Sequence, residues 1–198
     1  MTKHRLELFS DGVFAIVLTL LVLDLRIPAA HGLAGLREIL PALLVHAGSF
    51  FVVGSFWVVH HGGMARITEI KSHTLLLNLL SLFWVTLIPF GARNAAQRPL
   101  DPLGASLLAA TTGFYLASLM WMRLTAHSAI DDNPAMRSWR RFRITLVSVI
   151  VLADFGSAAL AWVTDWPAYV AIFGSAVFMF AMPSPPEVEQ RIAAATAV

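Results

Sequence analysis

Four side chains able to trade hydrogen bonds fall at one depth of an otherwise apolar chain: the carboxyl of Asp11, the indole of Trp57, the imidazole of His60 and the amide of Asn78. Asp11 lies six residues beyond Arg5, about 9 Å along a helix, and Asn78 seven beyond Lys71, about 10 Å. His60 and Trp57 lie six and nine residues before Arg66, roughly 9–14 Å from it. Buried together, such groups satisfy one another, because the indole N–H only donates, a carboxylate only accepts, and amide and imidazole do both. Two chemistries fit the layer. One is a structural knot in which polar bonds set the register of packed helices more than their stability. The other is direct handling of an ion, proton or substrate by intramembrane ionisable groups. Asp154 poses the same choice alone. It lies eleven residues beyond Arg143, near the centre of an apolar stretch and with no polar partner at its depth. It is either a hydrogen-bonded structural carboxyl or a proton or cation relay.

Other chemistries are disfavoured. The chain has no cysteine, so it holds no disulfide, thiolate nucleophile or zinc-thiolate site. His60 and His61 are neighbours, and neighbours on a helix point about 100° apart, so one metal ion cannot readily take both. His46 is fourteen residues before His60, about 21 Å along a helix, and His73 alone remains to pair with it across a haem. No metal, cofactor or enzymatic activity is expected.

The elements that must position these groups are membrane helices. Hydrophobic residues make up 58% of the chain and charged residues 13%, about half the charged share of soluble domains. Uncharged windows run over 12–23 (with its flanks, about 5–25), 39–65, 72–92, 102–122, 144–164 and 166–182. All but the first have the length a tilted spanning helix needs, and they lack the two-residue alternation of a barrel. The expected fold is therefore an all-α membrane protein of six transmembrane helices. Pro41 and Pro167 are placed in first turns, and Pro89 near a helix end. With the N-terminus inside, the inner segments hold every Lys and Arg except Arg26, Arg37, Arg93 and Arg98, which places both termini in the cytoplasm. The expected location is the cell (inner) membrane, multi-pass. Residues 1–183 form the membrane domain and 184–198 an exposed, partly disordered cytoplasmic tail. Lys3, His4 and Arg5 resemble the start of a signal peptide, but Glu7 and Asp11 fall where such signals are cationic or apolar. A net charge of only +2 argues against a nucleic-acid partner.

The run Arg5, Phe9, Ser10, Asp11 followed by GVFAIVLTLLVLDL resembles the first helix of the endosomal and lysosomal potassium channel family of transmembrane protein 175. FWVVHHG, with Trp57 and His60, is similar to that family's second helix, and HTLLLNLLSLFWVTLIPF, with Asn78 and Pro89, to its third. Together the three cover roughly the first half of the chain, and the bacterial members, with one six-helix unit per subunit, are the nearest in form. The resemblance implies a potassium-permeable, modestly selective cation channel. It would be a homotetramer whose first helices surround a central pore in the lipid bilayer. It further implies a pore closed by the aliphatic residues Ile16, Leu20 and Leu23, with Thr19 supplying a hydroxyl for potassium preference. Arg5, Ser10 and Asp11 would join Trp57, His60 and Asn78 in the polar network supporting the pore helix.

The residues are compatible with this. Ile16, Thr19, Leu20 and Leu23 recur at i, i+3, i+4 and i+7, one face of a helix. Periodicity alone leaves that face open to lipid or to a pore. No TVGYG-like carbonyl filter is present, so selectivity would rest on a narrow apolar constriction with sparse hydroxyls. The alternative class is a secondary transporter or proton pathway using Asp154, although neither an inverted repeat nor a pair of Gly/Pro-broken helices is visible.

Overall fold

The computed structural model describes residues 2–65, 67, 69–98, 101–125, 134–164 and 166–180, and every element among them is helical. Arg66 and the expected tail 184–198 lie outside these residues. The elements are α1 (Lys3–Leu20), continued by a 3₁₀ turn (Leu21–Asp24), α2 (Gly32–Met64), α3 (Ser72–Thr86), α4 (Ile88–Gln97), α5 (Pro102–Thr125), α6 (Pro134–Leu160) and α7 (Trp166–Phe180). Five stretches are long and apolar enough to cross a membrane: Lys3–Leu23, Gly32–Met64, Ser72–Gln97, Pro102–Thr125 and Arg137–Leu160. The sixth, α7, is a shorter apolar helix of 15 residues, about 22 Å long.

The third expected helix is two helices in one pass. Pro89 has no N–H to offer the carbonyl of Val85, so α3 stops at Thr86 and the chain restarts at Ile88 with Pro89 in its first turn. Leu87 between them closes a tighter turn, its N–H meeting the Trp84 carbonyl at 3.2 Å. Pro89 thus lies near the end of α3, as expected, and also in the first turn of a new helix. A second correction concerns Pro41, which lies inside α2, because that helix begins at Gly32 and not beside Glu38. The early start is possible because Gly32 adopts φ 62° and Glu38 folds the preceding loop back. Its carboxyl oxygens accept the N–H groups of Ala29 and Ala30 at 3.2 and 3.1 Å. At 33 residues α2 is about 50 Å long, more than the ~30 Å hydrocarbon layer, so part of it projects beyond.

Burial shows which helix is central. In α5, 61% of the apolar window is buried, against 28% in α1, α2 and α6. Tyr115, Leu116, Leu119 and Met122 of α5 are fully covered, packed among α3, α4 and α6. Close approach to α4 depends on Gly104, where a Cβ would stand on the backbone of Ala95. α1 is peripheral: Leu6, Ser10, Phe14 and Val17, continued by Leu21 of the 3₁₀ turn, face inward, while the side that carries Ile16, Thr19 and Leu20 is left uncovered by its own chain.

Candidate functional site

The inward stripe of α1 repeats every three to four residues, so it lies on one side of the helix and meets α2 and α3. Thr2 caps this helix, its hydroxyl accepting the Arg5 N–H at 3.4 Å. Ser10 is buried in the stripe. Its hydroxyl donates to the Leu6 carbonyl one turn back (2.9 Å) and accepts from the Asn78 amide on α3 (3.1 Å). Asn78 is fully buried, and Ser81 donates to its carbonyl at 2.8 Å. One residue along α1, Asp11 Oδ1 accepts the indole N–H of Trp57 on α2 at 2.8 Å. α1 is therefore tied to two helices by two side-chain bonds at successive residues.

His60 lies between these ties. It is 2% exposed, its ring 5.4 Å from that of Phe14, and neither nitrogen has a hydrogen-bond partner among the described residues. Arg5 is exposed, and its side chain makes no hydrogen bond or ion pair with the described residues. So one chain brings together Ser10 with Asn78 and Asp11 with Trp57, seats His60 beside Phe14, and leaves Arg5 outside. Asp154 is elsewhere: fully buried on α6 against Gly113 of α5, both carboxyl oxygens without a hydrogen-bond partner among the described residues.

Three contacts along the C-terminal half of α2 were not anticipated. Tyr115 of α5 stacks on Phe56 (4.4 Å between ring centres) and donates its hydroxyl to the Phe56 carbonyl at 2.8 Å. Arg123 of α5 donates to the Val59 carbonyl, and Gly63 leaves the space its guanidinium fills. Lys3 of α1 donates to the Ala65 carbonyl at 2.8 Å, just past the end of α2, where a cation also complements the helix dipole. The turns of α2 that carry Trp57 and His60 are thus held between α1 and α5. Arg123 bounds its window and reads in sequence as a helix-end charge. Only the pair of small residues Gly62-Gly63 hinted that something approaches α2 closely.

The opposite face of α1 is aliphatic and open. Ile16 is 59% exposed, Leu20 43% and Leu23 75%. Thr19 is exposed beside them, its hydroxyl donating to the Ile16 carbonyl at 2.8 Å, so a lone pair stays free to face outward. Leu23 stands on the 3₁₀ turn, where residues three apart eclipse one another, and it therefore stacks over Leu20.

A family profile described as endosomal/lysosomal potassium channel TMEM175 matches residues 5–89, which are α1 to the start of α4. A protein of Streptomyces collinus named potassium channel is 32% identical over 150 residues, 69% of this chain and 73% of that protein. The chain belongs to the TMEM175 family. Another relative, named potassium channel in a Chryseobacterium species, is 40% identical over 113 residues, 54% of this chain and 59% of that one. The human protein named endosomal/lysosomal proton channel TMEM175 is 30% identical over 171 residues. That stretch is 77% of this chain and 34% of the human one, so the chain spans about a third of its human relative. Among solved structures, the crystal structure of a lysosomal potassium-selective channel TMEM175 homolog from Chamaesiphon minutus matches with a TM-score of 0.63 and 24% identity. It covers 89% of this chain and 95% of its own, and the two share the fold. The chain is accordingly a multi-pass membrane protein of an ion-channel family.

Proposed function

We propose that this TMEM175-family chain is a potassium-permeable cation channel of modest selectivity, a homotetramer in the cytoplasmic membrane with both termini inside and α7 completing six passes. The observation that carries the reading is the outward stripe of α1: Ile16, Thr19, Leu20 and Leu23 remain open on a helix whose other face is bolted to its own protomer. Relatives named potassium channel support the cation. In the tetramer the four stripes meet on the axis. Four Ile16 side chains form a constriction that sheds water when narrow, so an ion cannot cross without its hydration shell. Movement of α1 widens the ring, and Thr19 oxygens replace part of the water lost by potassium. The ties of Asp11 to Trp57 and of Ser10 to Asn78, with His60 between them and Arg5 at the headgroup edge, anchor the inner half of α1 while its outer half moves.

Planar-bilayer recording tests this. Ile16→Asn wets the ring and is expected to enlarge the current and lower the potassium preference. Unchanged current and selectivity remove Ile16 from the conduction path.

A second reading, a proton pathway, is favoured by the buried Asp154 carboxyl, which has no hydrogen-bond partner among the described residues, and by relatives named proton channel. It predicts proton flux into liposomes that Asp154→Asn abolishes while potassium current persists. Flux untouched by that substitution rejects it.

A further inference from the structure

Between them, α2, α4, α5 and α7 leave a cavity of about 240 Å³, walled by apolar side chains such as Val52, Ile88, Leu108 and Ile172. A cavity of about 150 Å³ holds benzene, so by proportion this one takes about ten non-hydrogen atoms. Leu108 and Thr112 lie six and ten residues into α5, about 9 and 15 Å from its start. The cavity therefore sits at the depth of the hydrocarbon and not of the headgroups. Its most exposed lining residues, Leu44 of α2 (63%) and Phe173 of α7 (40%), mark where it meets the surface of the chain. Beside it the Phe173 ring stands against Gly48, in space that any Cβ there would need.

One lining side chain is out of keeping with the apolar walls. Ser49 is 6% exposed, yet its hydroxyl makes no hydrogen bond with the described residues. Ser10, Ser55, Ser81, Ser118, Ser157 and Ser175, buried like it, each donate to a carbonyl of their own helix. Thr112, also on the cavity wall, does the same toward the Leu108 carbonyl at 2.9 Å and keeps only acceptor capacity. A hydroxyl held in apolar surroundings without a partner costs free energy, which a polar group on a ligand can relieve. None of the described residues lining the cavity is Lys, Arg, His, Asp or Glu, so a charged ligand would be left uncompensated there.

We propose that this cavity is a binding site for a small uncharged alcohol that partitions in from the bilayer, its hydrocarbon against the apolar walls and its hydroxyl bonded to Ser49. A bare hydrocarbon chain matches the walls and leaves Ser49 unsatisfied, which is why the alcohol is the better occupant. The site needs only the packing of these four helices, so it stands apart from the conduction mechanism.

The full-length protein in detergent micelles is photolabelled with a diazirine-bearing hexanol, and the adducts are mapped by tandem mass spectrometry. Saturable labelling of residues 44–52 and 169–173 is expected. Hexanol should compete roughly two- to tenfold better than hexane at equal micellar concentration, the gain that one net hydrogen bond supplies. Ser49→Ala lowers the affinity for hexanol by that same factor and leaves competition by hexane unchanged. Val45→Phe fills the cavity and abolishes the saturable labelling. Should that variant fail to assemble, Ser49→Ala, which deletes a single oxygen, decides. Three results overturn the proposal: labelling that never saturates or spreads evenly over the exposed helices, hexane competing as well as hexanol, or hexanol binding to Ser49→Ala as tightly as to the native protein.

Discussion

Removing the bond between Trp57 and Asp11 measures how firmly α1 is anchored. Trp57→Phe deletes the indole donor and Asp11→Ala the acceptor, and each also changes packing. A double-mutant cycle cancels those side effects and leaves the pairwise energy. The bond is 2.8 Å long, good geometry for N–H to oxygen, but Trp57 is 41% exposed and Asp11 half-buried. Hydrogen bonds between membrane helices average about 0.6 kcal/mol and reach about 1.7, while bonds to charged groups in proteins run to about 1.5–3. Partial exposure pulls this one down, so the expected coupling is about 1 kcal/mol, a factor of about five in the unfolding equilibrium. Reversible unfolding of the four proteins in mixed micelles, followed by far-UV circular dichroism, gives the number. Asp11→Asn, which keeps an acceptor oxygen, is expected to unfold less readily than Asp11→Ala and to weaken tetramer assembly or alter gating. Free energies that add within about 0.3 kcal/mol mean that the bond anchors nothing.

Two further outcomes follow from the same geometry. Thr19→Val keeps the side-chain shape and deletes the hydroxyl, so the reversal potential under mixed potassium and sodium shifts toward equal permeability; an unaltered ratio clears Thr19 of selectivity. Arg123→Gln removes the charged donor from the Val59 carbonyl and should lower stability by about 1–2 kcal/mol, hence the melting temperature by roughly 2–8 °C for a chain of this size. Gly63→Ala puts a methyl where the guanidinium lies and produces a similar loss. Combined, the two substitutions should be little worse than either, and full additivity in the thermal midpoint refutes a shared contact.

Depth along a helix made the polar layer readable. Residues equally far from the charges that bound their helices lie at one level; of the four so placed, Asp11 and Trp57 bond to each other, and Asn78 bonds to Ser10, which its depth had not singled out. The stripe through Ile16 was readable from its spacing, and the structure leaves it open on one chain. Helix ends were not readable from charge. Arg37 and Glu38 sit inside α2, and Arg137 to Arg143 inside α6, because a helix continues past the hydrocarbon edge wherever its charged residues can reach water. The break at Leu87 needed the lost hydrogen bond of Pro89 to be weighed against the apolar run around it. The contacts of Tyr115 and Arg123 with α2 carbonyls link residues 59 and 64 apart in sequence, and no local pattern announces such a meeting.

The native chain has no cysteine, so a single Ile16→Cys substitution places one thiol per subunit against a silent background. Four α1 helices around an axis would bring these thiols together. Mild oxidation is then expected to yield disulfide-linked pairs of subunits, and a charged, water-soluble thiol reagent to block the current of the reduced channel. Thiols that neither cross-link nor react from water, with current unaffected, would mean that position 16 faces lipid and that α1 does not line the conduction path.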